Sequence, residues 1–167
     1  MEYAPEYYNK EILILGVGNI LFGDDGFGPA VADYLNERCR ASANAAVLDV
    51  GTGARQILFN LIVAEKKPRR IIIVDALQCD RTPGEVFLVS IEEIPEKKVN
   101  DFSVHMVPTL NMLKELRDLC GVEVVVLAAQ PENIPELVSG DMTETMKKAV
   151  IEAGDYIAET YLKDCQA

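Results

Sequence analysis

The sequence predicts an α/β fold: a mostly parallel sheet of about five strands, one of them antiparallel, with helices on both faces. Short apolar runs alternate with longer segments whose apolar residues recur at helical spacing. Residues 71–74 contain no polar side chain, which is typical of a strand buried on both faces of a parallel sheet. The 167 residues show no repeat or linker, so we expect a single three-layer domain.

Local signals mark the ends of the predicted elements. Pro29 is expected at the first position of a helix that runs to about residue 40, and Gly121 is expected to cap the third helix. A turn signal at residues 81–84 precedes the strand that we expect to be antiparallel. The predicted strands are 12–15, 46–50, 71–74, 85–91 and 123–128, and the predicted helices are 29–40, 54–64, 108–120 and 142–161.

Composition and charge restrict the function. Residues 1–10 are predicted to be an N-terminal extension, and residues 11–167 to form the α/β domain. The formal net charge of −11 argues against nucleic acid and anionic membranes as partners, because both attract basic surfaces. No apolar run approaches the roughly eighteen residues that a membrane span needs, and the N-terminus does not resemble a signal peptide. A cytoplasmic protein is therefore expected.

The four cysteines, Cys39, Cys79, Cys120 and Cys165, form no Cys-x-x-Cys pair. Zinc-ribbon and iron–sulfur sites usually contain such close pairs. We therefore expect free thiols in a reducing compartment.

The loop after the first strand begins like a dinucleotide-binding turn and then departs from it. Gly16 and Gly18 are followed by Asp24 and Asp25, at the point where a phosphate would have to bind. Two carboxylates would repel that anion at short range. The loop is therefore predicted to face a cation or to handle protons.

Three candidate site residues follow strands of the predicted sheet or precede its helices. Asp25 lies in the loop after the first strand, Asp75 follows the strand at 71–74, and His105, the only histidine, lies just before the third helix. In parallel sheets, loops at the carboxyl edge gather functional groups. Two carboxylates and one imidazole are donors suited to a divalent transition metal with open positions.

Each residue also has a simpler explanation. Asp25 could cap the first helix, Asp75 could be a turn residue, and a single loop histidine is more often structural or solvated. Taken one at a time, these residues favour structural roles. Placed together at one sheet edge, they favour a site.

Four motifs, taken together, resemble the [NiFe]-hydrogenase maturation endopeptidases: GVGNILFGDDGFG at 16–28, DVGTG at 49–53, IVDA at 73–76 and FSVH at 102–105. The resemblance covers nearly the whole chain in the right order. It implies an aspartyl-type endopeptidase that removes a C-terminal extension from the hydrogenase large-subunit precursor once nickel is in place. The run from Asp101 to Met106 resembles the branch that serves deazaflavin-reducing hydrogenases of methanogenic archaea.

The resemblance also implies residue roles. Asp25, Asp75 and His105 would be the catalytic and nickel-recognising positions, with the nickel carried by the substrate and not held tightly by the free enzyme. Asp24 would then face away from the metal and accept N–H groups near the start of the helix at Pro29.

The sequence contains neither a Gly-x-Ser-x-Gly elbow nor a His-Glu-x-x-His helix, so serine-hydrolase and resident-zinc chemistry are unsupported. Gly51, Thr52 and Gly53 could allow close approach of the substrate backbone or could form only a tight turn. A non-catalytic, nickel-sensing chaperone of the large subunit remains an alternative. A nucleotide-binding enzyme would depend on Gly16 and Gly18 alone, and the next expected glycine is Leu21.

Overall fold

A five-stranded mixed sheet forms the centre of the computed structural model, which describes residues 5–39, 42–94 and 106–162. The strand order is β2-β1-β3-β5-β4; the first four strands in this order are parallel, and β4 pairs antiparallel with β5. The strands are β1 (Ile12–Val17), β2 (Ala45–Gly51), β3 (Arg70–Ala76), β4 (Val86–Val89) and β5 (Glu123–Ala129). In these ranges the α-helices are α1 (Phe27–Arg38), α2 (Ala54–Val63), α3 (Met106–Asp118) and α4 (Glu144–Tyr161).

Helices cover both faces of the sheet, so the predicted three-layer architecture is confirmed. On one face, Leu58 of α2 and Leu113 of α3 are fully buried against the strands. On the other face, Phe27 of α1 and Met146 of α4 are equally buried. The alternating side chains of β1 and β3 contribute to both cores, which explains why these strands are apolar throughout.

Most predicted boundaries differ by one or two residues from those in the structure, and two of the differences have a clear local reason. Helix α1 begins at Phe27, with Gly26 as its N-cap, so Pro29 is the third helical residue. Proline is tolerated there because the first four N–H groups of a helix have no intrahelical partner. Strand β4 ends at Val89, because Ser90 and Glu93 form a capping box that starts a 3-10 turn.

The structure also corrects the expectation for the cysteines. Cys120 is a free thiol and Cys79 forms no disulfide, as predicted, but Cys39 is disulfide-bonded. Spacing along the chain identifies close metal-binding pairs, and it does not reveal which distant cysteines meet in the fold.

The N-terminal residues contact the domain. Tyr7 and Tyr8 pack against the core on the α2–α3 face. The Lys10 ammonium donates hydrogen bonds to the carbonyl oxygens of Ser42 and Ala43, at 3.1 and 3.2 Å. The division at residue 10 stays a prediction. None of the helices in the described ranges has the length and apolar character needed to cross a bilayer.

Candidate functional site

The first candidate carboxylate, Asp25, lies on a 3-10 turn, Gly23–Gly26, between β1 and α1. Its side chain is 7% exposed, and its Oδ2 accepts a hydrogen bond from the Asn19 backbone N–H at 2.9 Å. The Gly18 backbone, with a φ of 143°, passes so close that a Cβ there would lie 2.0 Å from the Asp25 carbonyl oxygen. Only glycine fits this position, so Gly18 is explained by the packing of the loop on itself, and Gly16 by the close approach of α1, because a Cβ there would lie 2.3 Å from the Gly28 carbonyl oxygen.

The second carboxylate, Asp75, lies within β3 and is 3% exposed. Strand β3 is the direct neighbour of β1, and the turn that carries Asp25 contacts it. Gly28 explains this proximity, because a Cβ there would lie 2.1 Å from the Val17 carbonyl oxygen and 2.3 Å from that of Val74. The first turn of α1 therefore rests directly on the ends of both strands, and this places Asp25 and Asp75 at one edge.

The third predicted residue, His105, lies outside the described residues. Helix α3 begins at the next position, Met106. Within the part of the chain that the structure describes, no three His, Cys, Asp or Glu side chains form a group able to hold a metal ion. The roles predicted for Asp25, Asp75 and His105 stay predictions.

Asp24 has a different role from the predicted cap of α1. It is fully buried, and its carboxylate accepts hydrogen bonds from the backbone N–H groups of Glu132, Asn133 and Thr143, at 2.9, 2.9 and 2.8 Å. The Thr143 hydroxyl also donates to it, at 2.9 Å, and accepts from the Met146 N–H as the N-cap of α4. Asp24 thus ties the loop after β1 to the loop after β5.

Sequence reasoning did not identify Gln130 as important. This side chain, 4% exposed at the end of β5, accepts hydrogen bonds from the N–H groups of Cys79 and Arg81, at 2.9 and 3.1 Å. Its amide nitrogen donates to the Gln78 side chain and to the Pro131 carbonyl oxygen. Gln130 therefore fixes the loop that follows Asp75. The available signal was its position directly after a buried strand that neighbours β3.

Residues 51–53, predicted to bind the substrate backbone, form a tight turn between β2 and α2. Gly51 has a φ of 51°, and the Gly53 N–H donates to the Val50 carbonyl oxygen at 2.8 Å. The Gly51 carbonyl oxygen accepts from the Gly18 N–H at 3.0 Å, which attaches this turn to the loop after β1. The positive φ explains Gly51, and an added Cβ at Gly53 would lie 3.2 Å from the Val50 carbonyl oxygen. Substrate binding here stays a prediction.

The carboxyl edge therefore combines two nearly buried carboxylates with loops that buried polar side chains hold in place. Carboxylate oxygens are suitable ligands for a divalent cation, and they can also accept a proton from water. In the loop after β1, the Gly18 and Asn19 N–H groups already donate to the Gly51 carbonyl oxygen and to the Asp25 carboxylate, so neither is left to bind a phosphate. The nucleotide-binding alternative gains no support from this geometry.

Comparison with known proteins agrees with the fold and the motifs. The family model described as hydrogenase maturation protease matches residues 29–160, a range that includes Asp75 and His105 and begins after Asp25. A Methanocaldococcus jannaschii protein named as a hydrogenase maturation protease is 37% identical over 150 residues, covering 89% of this chain and 94% of that protein.

Two further proteins with hydrogenase-related names are similar to this chain over most of its length. The coenzyme F420 hydrogenase subunit delta of Methanothermobacter thermautotrophicus is 35% identical, covering 86% of this chain and 89% of that protein. The hydrogenase 3 maturation protease of Escherichia coli K12 is 31% identical and covers 83% of each chain.

Among solved structures, the hydrogenase maturating endopeptidase HybD of Escherichia coli superimposes with a TM-score of 0.73 at 25% identity, covering 92% of this chain and 93% of that one. A crystal structure of the hydrogenase 3 maturation protease gives a TM-score of 0.68 at 27% identity, covering 89% of each chain. The family match spans most of the chain, and the sequence and structural relatives agree on it. The chain therefore belongs to the hydrogenase maturation proteases, enzymes that hydrolyse a peptide bond.

Proposed function

We propose that this enzyme removes the C-terminal extension of a [NiFe]-hydrogenase large-subunit precursor that already carries nickel. The observation that carries the proposal is the convergence of Asp25 and Asp75, both nearly buried, where α1 rests on the ends of β1 and β3. Family membership supplies the reaction class, and the edge supplies oxygen donors of the kind that a nickel ion can accept.

In this proposal the nickel ion belongs to the substrate and acts as the recognition element. Asp25, Asp75 and His105 dock on it and so bring the scissile peptide bond to the carboxyl edge. A divalent ion beside that bond polarises its carbonyl group or lowers the pKa of a bound water. A precursor without nickel lacks this attachment, so cleavage is restricted to loaded precursor.

The proposed partner is the large subunit of a deazaflavin-reducing hydrogenase. Two observations support this choice: the motif around His105 and the relative named as a coenzyme F420 hydrogenase subunit. Neither nucleic acid nor a membrane is part of the proposal, in keeping with the net charge of −11.

The test incubates the purified enzyme with nickel-loaded precursor and measures the product by mass spectrometry. Wild type is expected to release one C-terminal peptide, and enzyme freed of metal with a chelator before mixing is expected to do so at the same rate. Asp25→Asn, Asp75→Asn and His105→Ala are each expected to abolish processing without unfolding the enzyme.

Asp80→Asn is the matched control. It makes the same change in the loop after β3, and asparagine tolerates the φ of 55° found there. We expect it to process the precursor normally. Normal processing by any two of the three site variants would refute the assigned site, and binding of loaded precursor without cleavage would favour the nickel-sensing chaperone.

A further inference from the structure

Four large apolar side chains are exposed at the carboxyl edge of the sheet, in the loops after β1 and β5. They are 62%, 49%, 81% and 67% exposed and comprise Ile20, Leu21, Leu137 and Val138; we call them the apolar rim. Soluble monomers seldom expose contiguous large apolar side chains unless another molecule covers them. The rim therefore needs an explanation that the fold does not supply.

The rim is held in one arrangement. The Ser139 N–H donates to the Leu21 carbonyl oxygen and the Gly23 N–H donates to the Ser139 carbonyl oxygen, both at 2.7 Å. These bonds form a parallel β-bridge between Phe22 and Ser139. The buried Asp24 carboxylate also connects the same two loops, through its hydrogen bonds with Glu132 and Thr143. A surface ordered before binding loses less conformational entropy when a partner docks on it.

The rim is continuous with the candidate site. Asn19, next to Ile20, donates its N–H to the Asp25 carboxylate. The Ile20 backbone packs against Gly26, where an added Cβ would lie 3.2 Å from the Ile20 Cα. A protein that reaches Asp25 therefore meets the rim immediately beside it.

The charges around the rim define the kind of partner. Residues 18–26 and 130–143 contain five carboxylates and neither Lys nor Arg. Three of these carboxylates, Glu132, Glu136 and Asp141, are exposed. A second copy of this chain would bring the same negative loops together across a symmetric interface, which like-charge repulsion disfavours. A complementary partner presents apolar side chains flanked by Lys or Arg.

We propose that the apolar rim is the docking surface for the hydrogenase precursor, where it takes an apolar segment flanked by basic residues beside the scissile bond. The proposal rests on the proposed function, because it assigns a partner surface to the same edge. Docking at the rim binds the precursor through side chains that take no part in hydrolysis. Its loss therefore raises KM and leaves kcat nearly unchanged.

The test uses the double variant Leu21→Ser with Val138→Ser, and Leu119→Ser as the control. Leu119 is 79% exposed but precedes β5, at the opposite edge of the sheet. The double variant is expected to raise KM for nickel-loaded precursor by about tenfold at unchanged kcat. The control is expected to behave as wild type. All three variant sites are exposed, so melting temperatures should agree, and they are measured first.

Two results, each obtained with an active wild type, would overturn the proposal. If the double variant has the wild-type KM, the rim does not bind the precursor, and the proposed function is unaffected. A concentration-dependent dimer of wild type, lost in the double variant in sedimentation equilibrium, would assign the rim to a second copy.

If wild type cleaves no precursor, the proposed function fails. Calorimetric measurement of precursor binding then tests separately whether the rim is a docking surface. Weaker binding by the double variant would then support docking, and equal binding would overturn it.

Discussion

The loop after β1 carries one candidate carboxylate, Asp25, and the loop after β3 follows the other, Asp75. The fold positions these two side chains in different ways. Asp75 lies within β3, and its Cα is paired in register with Ala128 of β5. Asp25 lies beyond the end of β1, on a turn whose position depends on contacts with α1, with Asn19 and, through Asp24, with residues 132–143. The sheet fixes one carboxylate, and contacts between loops fix the other.

This difference has a mechanical consequence. Displacing Asp75 requires breaking the central sheet, whereas Asp25 can move if any of its loop contacts is lost. Substitutions around the first loop should therefore alter the site more easily than substitutions around the second. Three changes, ordered by expected effect, test that comparison.

The largest effect is expected for Gly28→Ala. The new Cβ would lie 2.1 and 2.3 Å from two backbone carbonyl oxygens, so α1 must move away from β1 and β3. Alanine favours a helix over glycine by about 1 kcal/mol, but overpacking against rigid backbone costs about 1–3 kcal/mol or more and prevails. We expect a melting temperature several degrees lower, together with loss of processing, because Asp25 moves with α1.

Gly140→Ala is the control for this change, since no described residue beyond its two chain neighbours has a heavy atom within 4 Å of the added Cβ. Its free energy of unfolding should stay within about 0.5 kcal/mol of wild type. If Gly28→Ala unfolds at the wild-type temperature, the close approach of α1 to the strands does not govern the position of Asp25.

An intermediate effect is expected for Asp24→Asn. One carboxylate oxygen becomes an N–H donor that faces other N–H donors, so at least one of the groups on Glu132, Asn133 or Thr143 loses its acceptor. Leaving a buried donor unsatisfied costs about 1–3 kcal/mol. Denaturant titration should show this loss, and the rim should loosen because Asp24 connects its two loops.

Asp25→Asn is the informative counterpart, because an amide oxygen can still accept the Asn19 N–H. We expect little change in stability and complete loss of processing. Thr143→Ser keeps the hydroxyl donor to Asp24 and should resemble wild type. Equal losses of stability in the Asp24 and Asp25 variants would contradict this assignment, in which Asp24 connects the two loops and Asp25 belongs to the candidate site.

The sequence was sufficient for the architecture because that architecture depends on local patterns. The apolar run 71–74, the helical stripes and the turn before β4 each act over a few residues, and the alternation of strands and helices predicts a mostly parallel sheet. Placing Asp25 and Asp75 at one edge needed only the rule that parallel strands end together.

The partners of individual side chains could not be predicted in the same way. Asp24 was expected to cap a helix five residues away, and it bonds instead to groups 108 to 119 residues away. Gln130 likewise holds residues about 50 positions earlier. Such contacts depend on how loops fold over the sheet edge, which periodicity does not encode.

The smallest effect is expected for Gln130→Met, which keeps the side-chain length but removes the acceptor for the Cys79 and Arg81 N–H groups. Arg81 still pairs with Glu85 at 2.8 Å and stacks on Phe87, and Asp75 stays within β3. The loss should therefore be near the lower end of about 1–3 kcal/mol, with processing reduced but retained.

The comparison variant is Gln130→Glu, which preserves an acceptor for both N–H groups while it loses the amide donors and adds a buried charge. Hydrogen exchange at the amides of Cys79 and Arg81 measures the local effect directly, since both should exchange faster in Gln130→Met than in Gln130→Glu. Abolished processing in Gln130→Met at wild-type stability would show that the second loop depends on remote contacts as much as the first, and the comparison between them would fail.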